Sequence, residues 1–162
     1  MYSVGDKIVH PMHGAGTVAE ITTQNVNGST LEYYILKLPA NNMKIMVPVA
    51  SCEKIGIRDV ITKERAEELL NLITTIDIDD NANWNKRYRE NSARIKSGDL
   101  DEVVRVIKTL YVRDSKTGLS TGERKMLHSA KQILYSELVL AKNTTYDEIV
   151  AEIENKLSSS LK

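Results

Sequence analysis

Most of the equipment of a catalyst or a secreted scaffold is missing from this 162-residue chain. It has one cysteine, Cys52, so no internal disulfide can form, and three histidines (His10, His13, His128) leave a Cys/His zinc site short of ligands. It contains no glycine-rich phosphate loop, no Gly-x-Ser-x-Gly elbow and no His-Glu-x-x-His helix. The histidine pair in His10-Pro11-Met12-His13-Gly14 reads as a turn, because Pro11 and Gly14 punctuate a loop between strands and the spacing supplies no further partner. Cys52, beside a turn at 48–51, is read the same way. No catalysis, cofactor or metal is expected. No apolar run approaches the roughly 18–20 residues that span a bilayer, and Asp6 and Lys7 interrupt the N-terminus before a signal peptide could develop. The expectation is a cytoplasmic protein with no membrane partner and no small-molecule substrate.

Excess charge of either sign is also missing, with 22 Lys and Arg against 22 Asp and Glu. That balance is a cancellation. Residues 1–60 carry five basic and five acidic groups, 61–83 two against six, 84–142 thirteen against seven, and 143–162 two against four. An acidic stretch therefore separates a neutral front from a basic rear. Such asymmetry points to a polyanion partner on one part of the chain, while solvated helix faces account for it equally.

The front third has strand character. Short β-branched or aromatic runs at 7–10, 17–23, 31–38 and 43–47 are separated by turn chemistry, with Asn27-Gly28 the strongest hairpin signal and Pro39-Ala40-Asn41-Asn42 a second turn. So few short antiparallel strands suit a small bent barrel of the SH3 or Tudor kind, a class made up mostly of binding modules. From Thr62 the apolar period becomes helical. The pattern predicts a helix over 62–73, then one capped by Asn83 that runs to Lys96 and stops at Ser97-Gly98. A third is capped by Asp99 with Glu102 in capping-box spacing, on a stripe of Leu100, Val103, Val104, Ile107, Leu110 and Tyr111, and ends at Gly118. Ser120 with Glu123 opens the longest helix and Thr145 with Glu148 the last. The class expected is α+β: a Tudor/SH3-like β-barrel over 1–60, a connecting helix and acidic hinge over 61–82, and an all-α bundle over 83–162.

The segment Asn83-Trp84-Asn85-Lys86-Arg87-Tyr88-Arg89 puts the sole tryptophan at a helix start beside three cations. Free N–H groups and the dipole there favour phosphate, and an apolar side chain so placed can wedge against a base step. A second reading stays open, since Trp84, Tyr88 and Ile95 fall within about 40° of one another and would also make a core stripe. Arg124 and Lys125 occupy the first turn of the longest helix, where positive charge opposes the macrodipole by a few tenths of a kcal/mol. Phosphate contact would offset that.

These residues resemble CarD/CdnL-type bacterial transcription regulators over nearly the whole chain. The similarity is carried by Val4-Gly5-Asp6-Lys7-Ile8-Val9-His10-Pro11-Met12-His13-Gly14-Ala15-Gly16, by Gly56-Ile57-Arg58-Asp59-Val60, and by Asn83-Trp84 with Arg87-Tyr88. It continues through Ser97-Gly98-Asp99, Arg113-Asp114 and Gly118-Leu119-Ser120-Thr121-Gly122-Glu123-Arg124-Lys125-Met126-Leu127. The resemblance implies a Tudor-like front module, shared with transcription-repair coupling factors, that binds the β subunit of RNA polymerase. It also implies a helical rear domain that contacts promoter DNA in the minor groove at the upstream bubble edge, without sequence specificity, and stabilises the open complex. Trp84 matches the wedge, and Lys86, Arg87, Arg89 and Lys125 match basic positions; Arg124 joins them from the helix-start argument. Where the family often has arginines on its second and fourth strands, this chain has Gln24 and Met46, with Lys44 as substitute charge and the 43–47 edge open to strand addition. The alternative is an adaptor whose helical domain contacts protein in place of DNA.

Overall fold

The computed structural model describes residues 1–161 apart from Asn41 and Asp79, so the turn at 39–42 and the acidic stretch each contain one position outside the described residues. Five strands form one antiparallel sheet: β1 (Lys7–His10), β2 (Gly14–Val26), β3 (Ser29–Lys37), β4 (Lys44–Pro48) and β5 (Arg58–Asp59), in the order β4-β3-β2-β1-β5. Asn27 and Gly28 both take positive φ (53° and 82°), which the tight β2–β3 hairpin demands and those two residues tolerate. A register shift between Val18 and Glu20 bends β2. Ile8, Val18, Tyr34, Leu36 and Val47 fill one face and form a small core of their own. The sheet is not closed into a barrel, because the pairing ends at β4 on one side and β5 on the other. The two-residue β5 carried no strand signal; its pairing with Ile8 and Val9 depends on tertiary context.

After a 3₁₀ turn (Val49–Ser51) and the single-turn α1 (Cys52–Ile55) come α2 (Lys63–Thr75), α3 (Trp84–Lys96), α4 (Leu100–Lys116), α5 (Thr121–Lys142) and α6 (Tyr146–Ser159). Each of these five longer helices is capped by the side chain preceding it. Thr62, Asn83, Asp99, Ser120 and Thr145 accept from the backbone N–H of Arg65, Lys86, Asp101, Glu123 and Glu148. The box expected at Asp99 does not close, because Glu102 turns to Arg94 and Arg105.

The helix over 63–75 is more than a connector. Its Ala66, Leu69, Leu70 and Ile73 enter the same core as Val103 and Leu110 of α4, Leu134 and Leu138 of α5, and Ile149 and Ile153 of α6. The acidic stretch after it is strapped to α4: Arg105 donates to the Asp77 carbonyl, Lys108 to the Ile76 carbonyl at 2.9 Å, and Arg113 pairs with Asp80 at 3.0 Å. Part of the basic excess counted in the sequence is thus neutralised internally.

Sheet and helices meet along α5. The Ala15 N–H donates to the buried Ser136 hydroxyl (2.8 Å), and Arg58 forks onto both oxygens of the fully buried Glu137 at 2.7 and 2.8 Å. The Ile61 N–H donates to the same carboxylate at 2.9 Å. Gly14 allows this approach, since a Cβ there would lie 2.4 Å from the Ser136 Oγ.

Candidate nucleic-acid interface

Helix α3 has an unusual inner face: its buried residues are Arg87 and Asn91, both polar. Arg87 is 3% exposed and reaches α5, where its Nε donates to Glu123 (2.8 Å) while another guanidinium nitrogen donates to the Asn81 carbonyl (2.7 Å). Glu123 is equally buried. Burial pushes its carboxyl up, but hydrogen bonds and charge from Arg87, with help from Ser120, outweigh this and hold it below the usual carboxylate range. The Ser120 hydroxyl donates to Glu123 (3.1 Å), accepts the Glu123 N–H (3.2 Å), and accepts the indole N–H of Trp84 (3.1 Å). One network therefore draws the N-termini of α3 and α5 together.

Trp84 stands on that junction. Its ring stacks on Tyr88, with centroids 5.1 Å apart and planes 19° from parallel, and it remains 44% exposed. Gly122 lies behind the pair, where a Cβ would sit 3.3 Å from the Tyr88 ring. The core stripe considered for Trp84, Tyr88 and Ile95 is therefore only partly realised: Ile95 packs against the helical core, whereas the two aromatics form a surface platform.

The candidate cations of the two helix starts divide. Lys86, Arg89, Arg124 and Lys125 are exposed. Lys86 lies 3.9 Å from Glu90, and the Arg124 Nε donates to the Leu119 carbonyl at 3.3 Å. Arg87 is a correction to the sequence reading, because its charge is enclosed with Glu123 and holds the platform instead of facing outward. Sequence reasoning missed Ser120 and Glu123 as partners of Trp84 and Arg87. Both had been read only as a cap, and nothing in the local spacing links them to residues 36 positions earlier.

On the sheet, the register places Gln24 opposite Leu31, Met46 opposite Ile35, and Lys44 opposite Lys37, so Gln24, Lys44 and Met46 share the outer face. Gln24 and Met46 touch, with 3.9 Å between amide nitrogen and sulfur. Leu31 and Met46 are more than 40% exposed there, and β4 is a sheet edge. The histidine pair forms a turn, in which His10 Nδ1 accepts the Met12 N–H and the two rings lie 4.6 Å apart. Among the described residues no acidic, His or Cys cluster could hold a metal, and no helix is long and apolar enough to cross a membrane.

An antiparallel sheet module is thus joined along α5 to a capped helical body that presents exposed aromatic and basic side chains. Residues 2–61 match the family model described as the CarD-like/TRCF RID domain, and residues 68–154 match the CarD C-terminal domain. Over 149 residues the chain is 30% identical to YdeB of Bacillus subtilis (strain 168), described as a candidate transcription factor, covering 92% of this chain and 97% of that one. The chain belongs to the CarD/CdnL-type family of bacterial transcription regulators.

Proposed function

We propose that the protein binds the β subunit of RNA polymerase through its sheet and stabilises the open promoter complex through its α3–α5 corner. The observation that carries this is the exposed Trp84 held by Ser120 at the junction of two helix N-termini, with Lys86, Arg89, Arg124 and Lys125 exposed on the N-terminal halves of those same two helices. Phosphates would meet the cations and the leading N–H groups, while the indole packs against the unstacked step at the fork in the minor groove. Arg87 contributes by fixing the corner.

Four phosphate contacts give weak, salt-sensitive binding, with log K falling against log salt at a slope of about −3.6. Tethering compensates by raising the local DNA concentration. The outer face carrying Gln24, Lys44 and Met46 and the free edge of β4 support the polymerase contact, because strand addition takes affinity from backbone hydrogen bonds and selectivity from neighbouring side chains. The sheet with its flanking segments serves as the polymerase-binding domain, and α2 to α6 as the DNA-binding one. Since the platform prefers a distorted fork to a closed duplex, it shifts the opening equilibrium by that difference in affinity alone.

Open-complex lifetime on the cognate polymerase, measured with the parent and with Trp84→Ala, tests this. The parent should lengthen the lifetime and the variant should lose most of the effect while remaining folded, since Arg87–Glu123 still holds α3. An undiminished effect in the folded variant refutes the wedge. Tryptophan emission that ignores forked DNA favours a protein-contacting adaptor.

A further inference from the structure

A cavity of about 580 Å³ opens between the sheet and the helical body, bordered by β1 and its turn, α1, α3, α4 and α5. Its walls are largely apolar, with Val9, Met12, Ile95, Val103 and Met126 among them. Three cations line it, Arg58, Lys96 and Lys125, and no carboxylate does among the described residues. Arg58 is already saturated by Glu137. Lys96 on α3 and Lys125 on α5 are exposed and have no hydrogen-bond or ion-pair partner among the described residues.

An apolar hollow within the range of about 300–1,000 Å³, with a few convergent polar groups, is the usual form of a small-ligand site. Here the polar groups are of one sign. Lysine stems can line an apolar wall while their ammonium groups stay at the mouth, so a guest with an apolar body and an anionic end satisfies both halves of the lining. Inorganic phosphate or a nucleotide fits poorly, because beyond the cations the lining offers, among the described residues, only Tyr88, Ser92 and Ser129 as polar side chains.

We propose that this cavity binds an amphipathic organic anion, its apolar body held between β1, α3 and α5 and its carboxylate at Lys96 and Lys125. Both aliphatic and aromatic acids share this chemistry. The site shares Tyr88 and Lys125 with the proposed DNA interface, while that interface's other cations, Lys86, Arg89 and Arg124, do not line it.

Titration calorimetry on the full chain, without DNA, tests the proposal using decanoate and 2-naphthoate, with decanol and decyltrimethylammonium as neutral and cationic matches. One-to-one saturable binding of at least one acid is expected, about tenfold or more tighter than either match. If decanoate is the one that binds, each added methylene should tighten it about threefold to fourfold; tighter binding of naphthoate assigns the aromatic class. Lys96→Gln should weaken binding, and Ser129→Phe, a change at an exposed position that projects into the cavity, should abolish it while leaving the melting temperature near the parent's. Absence of saturable binding by both acids overturns the proposal, as does equal affinity for the cationic match. Unchanged affinity in a folded Ser129→Phe overturns the location. With no DNA or polymerase present, these outcomes are independent of the promoter-opening test.

Discussion

Removing the Glu123 carboxylate should damage this protein severely. In Glu123→Ala the Arg87 guanidinium, 3% exposed, keeps its backbone partner at Asn81 and the weaker attraction of Asp80 but loses the carboxylate it is hydrogen-bonded to. Breaking a buried pair in this way costs about 3–5 kcal/mol, a large fraction of the 5–15 kcal/mol that holds a typical domain together. For a chain of 162 residues that corresponds to a fall of about 6–20 °C in melting temperature. Replacing both partners, as Arg87→Met with Glu123→Leu, should restore most of this, because an apolar pair avoids the desolvation cost. The double variant should still lose promoter activity, since Ser120 no longer has Glu123 to orient it beneath the Trp84 indole. Thermal melts and open-complex lifetimes on the parent, both single variants and the double variant close the cycle. The pH dependence gives an internal check. Glu123 is held below its unfolded value, so its contribution is complete above about pH 4.3 and is lost as pH falls from there through the lower folded value. Glu123→Gln should flatten the stability profile in that window. A melt for Glu123→Ala within about 2 °C of the parent, or a double variant as unstable as the sum of the singles, refutes the reasoning.

Two further outcomes follow from the same contacts. Gly14→Ala places a Cβ 2.4 Å from the Ser136 Oγ and 2.9 Å from the Gln132 carbonyl, at φ +97°, so urea denaturation should show a loss of about 1–3 kcal/mol; stability within 0.5 kcal/mol of the parent, on the scale of ordinary surface changes, would mean that the sheet does not press on α5 there. Arg89→Gln with Lys125→Gln should leave the melt unchanged and make the salt slope of forked-DNA binding shallower by about 1.8, or 0.9 per phosphate released; an unaltered slope removes those two from the interface.

Caps and turns were the most legible part of the fold. Asn27-Gly28, Asn83, Ser120 and Thr145 act within three residues of themselves, so their chemistry can be read locally. The extent of β2 was underestimated because Gly14 to Gly16 lack strand propensity, and they are strand only where β1 and α5 press on them. Strand β5 and the absence of barrel closure depend on pairings that no local signal encodes. At the site, the sequence puts Trp84, Lys86, Arg89, Arg124 and Lys125 near the starts of two helices, and all five are exposed there. It misjudged Arg87, because periodicity treats every arginine as a surface residue and cannot see a carboxylate one helix away.

The burial of Arg87 bears on how the corner works. Helix α3 has a low apolar content and enters the helical core chiefly through Ile95, near its C-terminal end. Its N-terminal half, which bears Trp84, is fixed by Arg87–Glu123, the Trp84–Ser120 hydrogen bond and the aromatic stack. Ionic and hydrogen-bonded contacts are directional in a way that apolar burial is not, so this attachment specifies the position and angle of the indole as well as its proximity. An apolar attachment would hold the helix as firmly but would draw Trp84 inward with the rest of the stripe. By burying the arginine and asparagine of α3 instead, the fold leaves its two largest aromatic surfaces facing solvent, in a fixed orientation between two helix N-termini. A wedge needs both properties: exposure without a partner and little freedom to lose when the partner arrives, since each side chain immobilised on binding costs about 0.5–1.5 kcal/mol.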